Sequence, residues 1–458
     1  MREGMLSFSL ALVGSLCLAQ TPAPPVAGSW EGALEVGAVK LRIGVTILAQ
    51  ADGSLSATMD SPDQGAYGLP LSDVVFADGV LKFALRRANG AFEGRLDATA
   101  GAITGTWTQG MPMPLVLKRV DKPTRLSRPQ EPKPPFPYRS EHVTITNAPG
   151  RATLSGTLTI PDGTGPFPAV VLISGSGQQN RDEEIFGHKP FLVLADHLSR
   201  RGIAVLRYDD RGVGQSKGDV ASATSEDFAA DAWAVWQALR ARPEIDAKRV
   251  GLIGHSEGGL IAPMLAAAHP EIAFIVLVGG PGVTGEQILL KQAELIATAM
   301  GAPPAAVAAN AAIQRQVFAI LKEETSQARI AERIGAIPVG SKEASAALVT
   351  QSASAWMRFF VLYDPAPALS KVRCPVLAIG AERDLQVAPD QNLPAIEAAL
   401  KAGGNADVTT TLLPGLNHLL QPAKTGLPAE YAQIETTVAP AALDTITTWI
   451  REQTGRAK

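Results

Sequence analysis

The sequence predicts a two-domain chain: a small all-β domain, then a larger α/β domain whose mostly parallel sheet is flanked by helices. Three observations support this fold class. The 458 residues exceed what one ordinary hydrophobic core accommodates. Residues 28–120 alternate apolar and polar side chains, as antiparallel strands do. From residue 138 onwards, short apolar strands alternate with helical patterns, which is typical of a parallel sheet.

The composition is that of a globular protein, with 46% hydrophobic and 19% charged residues. A net charge of −3 gives no reason to expect nucleic acid or a membrane surface as a partner. No histidine or cysteine pair has the spacing of a metal site, so we predict neither a metal nor another cofactor. The sequence carries no signal for an oligomeric state.

The first 19 residues have the pattern of a secretory signal peptide. Arg2 supplies the positive charge, and residues 5–18 form an apolar run too short to span a bilayer. Leu16 is bulky where a lipoprotein signal has a small residue, so we expect cleavage near Ala19 rather than a lipid on Cys17. The mature chain is therefore predicted to be periplasmic or extracellular, without stable membrane insertion.

The segment 28–120 predicts an antiparallel barrel or sandwich. Hairpin-turn dipeptides at 52–53, 78–79 and 89–90 separate its alternating runs. A Gly-Ser-Trp ending at Trp30 is echoed by a Gly-Thr-Trp ending at Trp107, which suggests strands that close the sheet. Nothing here has catalytic spacing, so we interpret this part as an accessory domain. Six prolines in residues 121–137 predict a semi-rigid linker.

The segment 138–458 predicts the α/β domain. Predicted strands lie at 142–146, 152–160, 169–173, 203–207, 250–253, 274–278, 376–379 and 408–413, and predicted helices at 190–200, 225–241, 260–268 and 393–401. A long, largely helical insertion at about 283–371 interrupts this alternation, and an amphipathic helix ends the chain. Alternating strands and helices place helices on both faces of the sheet.

The strongest chemical signal is the G-x-S-x-G sequence around Ser256. It follows an apolar strand and precedes a helical pattern, which is the context of a nucleophile elbow. Gly254 and Gly258 allow the strand and helix backbones to approach closely at a sharp turn. The first N–H groups of the helix point to where negative charge would develop. Ser256 is therefore the predicted nucleophile.

A serine nucleophile needs a base and an acid that orients the base, and both are expected at the carboxyl ends of strands. Of six histidines, His418 follows a late strand and is the predicted base, while His188 is a distant candidate on the substrate side. Asp384, after the preceding strand, is the first choice for the acid and Glu382 the second.

The oxyanion hole is expected from two backbone N–H groups. They are those of Glu257, directly after the nucleophile, and of Ser176 in the Gly/Ser-rich loop after strand 169–173. Trp356, Arg358 and Phe359 in the insertion are tentative substrate-binding residues, and packing of the insertion on the sheet explains them equally well.

The Gly-rich loop 208–219 lacks the Gly-Lys-Ser/Thr ending of a phosphate loop, so nucleotide binding is not expected. We interpret it as a structural loop pinned by Arg211 together with Asp209 or Asp210.

These motifs resemble known families. The elbow with Asp384 and His418 resembles the α/β-hydrolase superfamily, in which nucleophile, acid and base follow in this order. A closer resemblance is to bacterial EstD-type carboxylesterases, and it runs from about residue 138 to the C-terminus. The segments that carry it are 174–177, 181–183, 208–216, 363–365 and 384–387. The resemblance implies an α/β-hydrolase fold with the insertion as its cap, and hydrolysis of carboxylic esters.

The predicted function is that of an exported serine hydrolase of small-molecule carboxylic esters, with short-chain acyl esters favoured. A serine aminopeptidase on the same triad is the alternative, because four carboxylates could hold an α-ammonium: Asp182, Glu183, Glu184 and Glu257. Against it, Arg181 and Lys189 flank most of them and could neutralise them, and the apolar cap suits an uncharged acyl chain. The third hypothesis is a non-catalytic protein that binds a component of the cell envelope through its β domain, and the complete triad disfavours it.

Overall fold

A computed structural model of the protein describes residues 24–36, 39–50, 52–124 and 126–455. The chain divides into two compact units, one formed by residues up to 62 with 66–125 and the other by residues 63–65 with those from 126 onwards. The predicted signal peptide lies outside the described residues. Within the described part of the chain, no helix is long and apolar enough to cross a membrane.

The first unit is a closed antiparallel barrel in which eight consecutive strands pair with their neighbours. The strands are β1 (Gly28–Val36), β2 (Val39–Ala49), β3 (Leu55–Ser61), β4 (Ala66–Ala77), β5 (Val80–Leu85), β6 (Gly90–Asp97), β7 (Ala102–Gln109) and β8 (Met111–Val120), with 3₁₀ turns at Pro62–Gln64 and Arg86–Ala88. The all-β prediction is confirmed, and the barrel is the alternative that forms. Strand β1, which carries Trp30, closes the barrel against β8, whereas Trp107 lies on β7, one strand away from the closure.

The barrel interior is filled by side chains from the inward-facing positions of its strands. Trp30 and Trp107 are buried there together with Phe83 and Phe92, whose rings stack with centroids 5.0 Å apart. A barrel of eight strands has an interior just wide enough for side chains to fill. Its stability therefore rests on this aromatic and aliphatic core.

The second unit is built on an eight-stranded sheet with the order β16-β15-β14-β13-β11-β12-β10-β9. The strands are β9 (Tyr138–Asn147), β10 (Ala152–Pro161), β11 (Phe167–Ile173), β12 (Ala204–Tyr208), β13 (Ile245–His255), β14 (Ile275–Val278), β15 (Val376–Ala381) and β16 (Val408–Leu413). Strands β9 and β10 pair antiparallel, as does β10 with β12, and the other neighbouring strands pair in parallel.

Helices cover both faces of this sheet. They are α1 (Pro190–Ser199), α2 (Ser225–Arg240), α3 (Gly258–Ala268), α4 (Gly285–Ala299), α5 (Pro304–Glu323), α6 (Gln327–Gly335), α7 (Lys342–Ser352), α8 (Ala355–Leu362), α9 (Ala366–Leu369), α10 (Pro389–Ala402) and α11 (Pro440–Gly455), with a 3₁₀ helix at Pro428–Gln433. Successive residues of β11 alternate between two cores. Val171 packs with α2, α3 and α10, whereas Val170 and Leu172 pack with α1 and α11. This arrangement confirms the predicted α/β fold.

Helices α4 to α9 form the predicted cap insertion between β14 and β15, with an apolar cluster of their own that includes Phe318, Leu321 and Ile334. Helix α10 begins four residues before the predicted start at 393. Pro389 takes its first position, where a proline needs no hydrogen-bond partner for its nitrogen and its fixed φ suits a helix. The cap thus follows β14, and α10 follows β15.

The second half of the predicted linker belongs to the second unit rather than forming a free spacer. The Arg128 guanidinium donates to the carbonyl oxygens of Ala432 at 2.8 Å and Ile434 at 3.0 Å. The Gln130 side chain donates to the Val438 carbonyl at 2.7 Å and accepts from the backbone N–H of Thr437 at 2.6 Å. These contacts fix the linker to the segment before α11, which composition could not predict.

Candidate active site

Ser256 stands at a sharp turn between β13 and α3. Its φ of 53° lies in the left-handed region that a residue with a side chain seldom adopts, so the backbone is strained there. The Ser256 N–H donates to the carbonyl oxygen of Val278 at 2.9 Å. A Cβ on Gly254 would overlap the carbonyl oxygen of Gly258, and one on Gly258 would overlap that of Ile173. The turn therefore requires both glycines of the motif.

His418 and Asp384 are hydrogen-bonded to each other and buried. His418 follows β16 and Asp384 follows β15, and the His418 Nδ1 lies 2.7 Å from the Asp384 Oδ2. The other carboxylate oxygen, Oδ1, accepts from the backbone N–H groups of Gln386 and Val387, each at 2.8 Å. With Nδ1 donating to the carboxylate, Nε2 is the ring nitrogen that can accept a proton.

Gly279, after β14, has no side chain and so leaves space for the His418–Asp384 pair. A Cβ at Gly279 would lie 3.2 Å from the His418 Nδ1 and 3.3 Å from the Asp384 Oδ2. Its φ of 55° is also in the region that favours glycine. Gly279 is not among the residues predicted for the site, although a Gly-Gly pair directly after a parallel strand could have signalled it.

The alternative acid and base have other partners. Glu382 accepts the backbone N–H of Gly415 at 2.7 Å. His188 is fully buried, with Nδ1 2.9 Å from the Thr437 hydroxyl and Nε2 3.0 Å from the Tyr431 carbonyl oxygen. Burial lowers the pKa of His188 to about 4, so it stays neutral in the ordinary pH range. A substrate-side role for His188 is therefore wrong.

Ser176 and Glu257 supply two backbone N–H groups at this edge of the sheet. Glu257 directly precedes α3, and Ser176 lies in the loop after β11. Among the described residues, neither N–H has a hydrogen-bond acceptor. A Cβ on the neighbouring Gly175 would lie 3.2 Å from the Ser256 Cβ, so this loop runs close beside the elbow. Free donors beside the nucleophile are what an oxyanion hole needs.

Asp210 holds the two ends of the loop that carries Ser176. Its carboxylate accepts from the Ser174 hydroxyl at 3.0 Å and from the Gln179 N–H at 2.9 Å. Its own N–H donates to the Gln179 carbonyl at 3.0 Å. Burial raises the pKa of Asp210 to about 7.

The residues predicted to pin the loop 208–219 do so through separate partners rather than through one another. Arg211 pairs with the buried Asp231 of α2 at 2.7 Å, and Asp209 pairs with Arg181 at 2.6 Å. The reason is geometric, because the Asp209 and Asp210 side chains both reach the loop after β11 while Arg211 reaches α2. These partners lie 20 or more residues apart in sequence, so no local spacing signalled them.

The four carboxylates considered for an α-ammonium differ in what they contact. Asp182 pairs with Arg207, and the buried Glu183 pairs with His255 at 2.8 Å. Glu257 is buried, and burial raises the pKa of its carboxyl. Glu184 alone of the four is exposed. The two cations predicted to neutralise these carboxylates bind other acids. Arg181 pairs with Asp209, and Lys189 pairs with Glu131.

The three tentative substrate-binding residues all lie on α8 but make different contacts. The Trp356 Nε1–H donates to the Glu257 Oε1 at 2.7 Å, and its ring stacks on Phe360. The Arg358 guanidinium donates to the Glu324 carbonyl oxygen at 2.9 Å, and Phe359 stacks on Tyr363. Trp356 is therefore the one of the three with a hydrogen bond to a predicted site residue.

His255, the residue before the nucleophile, links two further loops. Its Nδ1 lies 2.8 Å from the Glu183 Oε1, and its Nε2 lies 3.0 Å from the carbonyl oxygen of His418. Glu183 lies 72 residues earlier, so its pairing with His255 could not be predicted from a motif.

The crossovers of the sheet and the elbow at its carboxyl edge define a protein of the α/β-hydrolase class. A family model described as serine aminopeptidase, S33 (Hydrolase_4), matches residues 189–422, half of the chain, and the protein belongs to this family of serine hydrolases.

Similar proteins include several esterases. The esterase EstD of Thermotoga maritima is 32% identical over 158 residues, which cover 34% of this chain and 36% of that relative, so the match spans about a third of the relative's length. Among solved structures, the Pyrococcus furiosus esterase Pf2001 is 17% identical with a TM-score of 0.43, covering 72% of this chain and 97% of the other. The α/β hydrolase GrgF from Penicillium sp. sh18 is 15% identical with a TM-score of 0.47, covering 69% and 100%.

Proposed function

We propose that the protein is an exported hydrolase of carboxylic esters, with Ser256 as nucleophile, His418 as base and Asp384 as the orienting acid. The observation that carries this proposal is the buried His418–Asp384 hydrogen bond at the carboxyl ends of β16 and β15, beside the strained elbow of Ser256. Membership of a serine hydrolase family supports it.

The reaction proceeds through an acyl-enzyme. The Ser256 Oγ attacks the ester carbonyl carbon while the His418 Nε2 takes the hydroxyl proton. The carbonyl oxygen becomes an oxyanion that accepts hydrogen bonds from the N–H groups of Glu257 and Ser176. His418 returns the proton to the departing alkoxide, and water then repeats the sequence on the acyl group. Asp384 holds the Nδ1–H tautomer throughout.

The carboxylates near the elbow favour an ester over an aminoacyl substrate. Binding an α-ammonium calls for an accessible, unpaired carboxylate. Asp182 pairs with Arg207 and Glu183 with His255, and Glu257 is buried with two hydrogen bonds to its Oε1. Of the four, Glu184 alone is exposed, and its carboxylate accepts from the Asn180 side-chain amide at 3.3 Å. We therefore expect short-chain acyl esters to be hydrolysed faster than any aminoacyl-anilide.

Steady-state kinetics on p-nitrophenyl esters of graded chain length and on aminoacyl-anilides test this proposal. We expect kcat/KM to be highest for a short ester, and Ser256→Ala to remove both turnover and labelling by a fluorophosphonate probe. Ser140→Ala, at an exposed position of β9, is the matched control that should keep both. A higher kcat/KM for an aminoacyl-anilide than for every ester would favour the aminopeptidase, and labelling that survives in Ser256→Ala would exclude Ser256 as the nucleophile.

Export is the second part of the proposal. The charged start, the apolar run and the small Ala19 predict cleavage of the first 19 residues. We expect the intact mass of the protein recovered from the periplasm or medium to correspond to a chain that begins at or near Gln20. A soluble cytoplasmic protein that retains Met1, or a lipid on Cys17, would contradict it.

A further inference from the structure

The buried pair His255–Glu183 takes no part in the proton transfers described above. His255 directly precedes the nucleophile, and both side chains are almost inaccessible. The two ring nitrogens of His255 face one acceptor each, the Glu183 Oε1 at 2.8 Å and the His418 carbonyl oxygen at 3.0 Å. The imidazole of His255 therefore faces two acceptors at once.

The geometry determines the protonation of His255. A neutral imidazole has one N–H and one lone pair, so beside an ionised Glu183 either neutral tautomer would set a lone pair against an acceptor oxygen. Only the doubly protonated imidazolium donates to both acceptors. The cation lies beside the Glu183 carboxylate, so its charge is paired within the protein interior.

The same carboxylate also reaches the oxyanion side of the site. The Glu183 Oε1 accepts the backbone N–H of Gly175 at 2.7 Å, and Gly175 directly precedes Ser176. Hydrogen bonds thus run from Gly175 through Glu183 and His255 to the backbone of His418. They join three loops, after β11, β13 and β16, which carry the proposed oxyanion donor, nucleophile and base.

We propose that His255 and Glu183 form a buried imidazolium–carboxylate positioning pair that fixes the oxyanion loop and the base loop around Ser256. This inference rests on the proposed function, because it assigns the pair to the geometry of that reaction. The rings of His255 and His418 lie 4.7 Å apart at a 43° tilt, so a displacement of one displaces the other. A misplacement of about 1 Å at a reacting group can cost about 10²-fold in rate.

The charged and polar groups around His255 come from three loops. Glu183 faces it from the loop after β11, Asp384 from the loop after β15 and the His418 carbonyl from the loop after β16. Burial alone lowers the pKa of His255, but Glu183, the His418 carbonyl and Asp384 together raise it to about 9. The cation is therefore in place below pH 9 and is lost above it. Loss of the Glu183 charge should move this transition to lower pH.

The first experiment reads the protonation state in the unaltered chain. We expect ¹⁵N NMR of the full-length protein, with its six histidines labelled, to show both ring nitrogens of His255 protonated at pH 7.5. The signals are assigned by through-space contacts to the His418 ring. A His255 with one unprotonated ring nitrogen at that pH would overturn the proposal, whatever the activity of the enzyme.

The second experiment separates charge from hydrogen bonding. Glu183→Gln keeps an oxygen that can accept from Gly175 but removes the charge that holds the imidazolium. We expect kcat for a short ester to fall by about 10²-fold with little change in KM, and the alkaline limb of the pH–kcat profile to move to lower pH. Glu183→Asp, which retains the charge, should restore a large part of kcat and the position of that limb.

Asn405→Ala is the control for a merely structural loss. The Asn405 side chain is buried at the opposite edge of the sheet, before β16, and donates to the Val372 and Cys374 carbonyls. Its removal should lower the Tm without shifting the pH profile. A Glu183→Gln enzyme with wild-type kcat and pH profile would overturn the positioning role. A wild-type protein that hydrolyses no ester would instead overturn the proposed function, while the NMR measurement would still decide the state of His255.

Discussion

At the residue scale, Asp384 uses its two carboxylate oxygens for different tasks. Oδ2 holds the imidazole of His418, while Oδ1 accepts two backbone N–H groups of the following turn. The turn thereby fixes the carboxylate, and the carboxylate fixes the ring. A residue in this position needs two acceptor oxygens rather than only the right size.

Asp384→Asn should therefore reduce kcat by about 10⁴-fold, the loss known for this change in the chymotrypsin triad. The amide oxygen would be retained by the two backbone N–H groups, so the NH₂ would face the Nδ1 of His418 and favour the wrong tautomer. Ester kinetics and a thermal melt measure the effect and check that the variant folds. Glu382→Gln is the control, because its partner is the Gly415 N–H, and it should change kcat little. If Glu382→Gln reduced kcat strongly and Asp384→Asn did not, Glu382 rather than Asp384 would be the acid.

The residues of the candidate site differ in how far sequence could predict them. Ser256, Asp384 and His418 were predicted because each stands directly after a recognisable strand, and the carboxyl ends of parallel strands meet at one edge. Glu183 and Asp210 were not assigned these contacts, because their roles depend on partners brought together only by the folded sheet. Charge alone does not say which of several nearby acids is buried.

At the scale of elements, one carboxyl oxygen connects the elbow, α2 and the cap. The Glu257 Oε1 accepts the Ser225 hydroxyl of α2 at 2.6 Å and the Trp356 Nε1–H of α8 at 2.7 Å. From the sequence, packing and substrate contact explain the aromatic residues of α8 equally well. The hydrogen bond gives Trp356 a packing role, whereas an Ala-rich cap with weak periodicity offered no means to predict which helix would reach the elbow.

The buried Glu257 should make stability depend on pH. Because burial raises its pKa above the ordinary value of 4.5, the native state binds the proton more tightly than the unfolded chain. The free energy of unfolding therefore falls as pH rises from 4.5 through the raised native pKa. Glutamine cannot ionise, and its amide oxygen can accept both hydrogen bonds.

We expect Glu257→Gln to lessen the decline of Tm between pH 5 and pH 9, as followed by thermal unfolding. Glu257→Ala, which orphans the Ser225 hydroxyl and the Trp356 indole, should be less stable than wild type across this range. Parallel pH profiles of Tm for wild type and Glu257→Gln would show that Glu257 does not carry the predicted proton.

At the scale of the whole molecule, the second unit begins earlier than its strands and helices suggest. The sequence predicted a catalytic domain from residue 138, because the proline-rich stretch before it has the composition of a linker. The structure assigns the chain from Leu126 onwards to the second unit. Composition describes the stiffness of a segment, and it does not reveal whether that segment donates hydrogen bonds to a distant loop.

A chain that starts at Leu126 should therefore be more stable than one that starts at Tyr138. The shorter chain lacks Arg128, whose guanidinium donates to four carbonyl oxygens of distant segments, those of Phe186, Gly187, Ala432 and Ile434. Hydrogen bonds from a charged group contribute about 1.5–3 kcal/mol each, so even partial loss should lower the Tm by several degrees.

Arg128→Ala in the full-length chain tests the same contacts without truncation. Differential scanning calorimetry should show a lower transition temperature for the second unit, and loss of ester hydrolysis on heating should follow that transition. Lys133→Ala, at an exposed cation of the same stretch, is the control. It should change the free energy of unfolding by no more than about 0.5 kcal/mol. If Arg128→Ala unfolds like Lys133→Ala, and the two truncated chains unfold alike, the stretch is a spacer after all. The loop before α11 would then owe its position to the packing of Val438 and Tyr431 rather than to these hydrogen bonds.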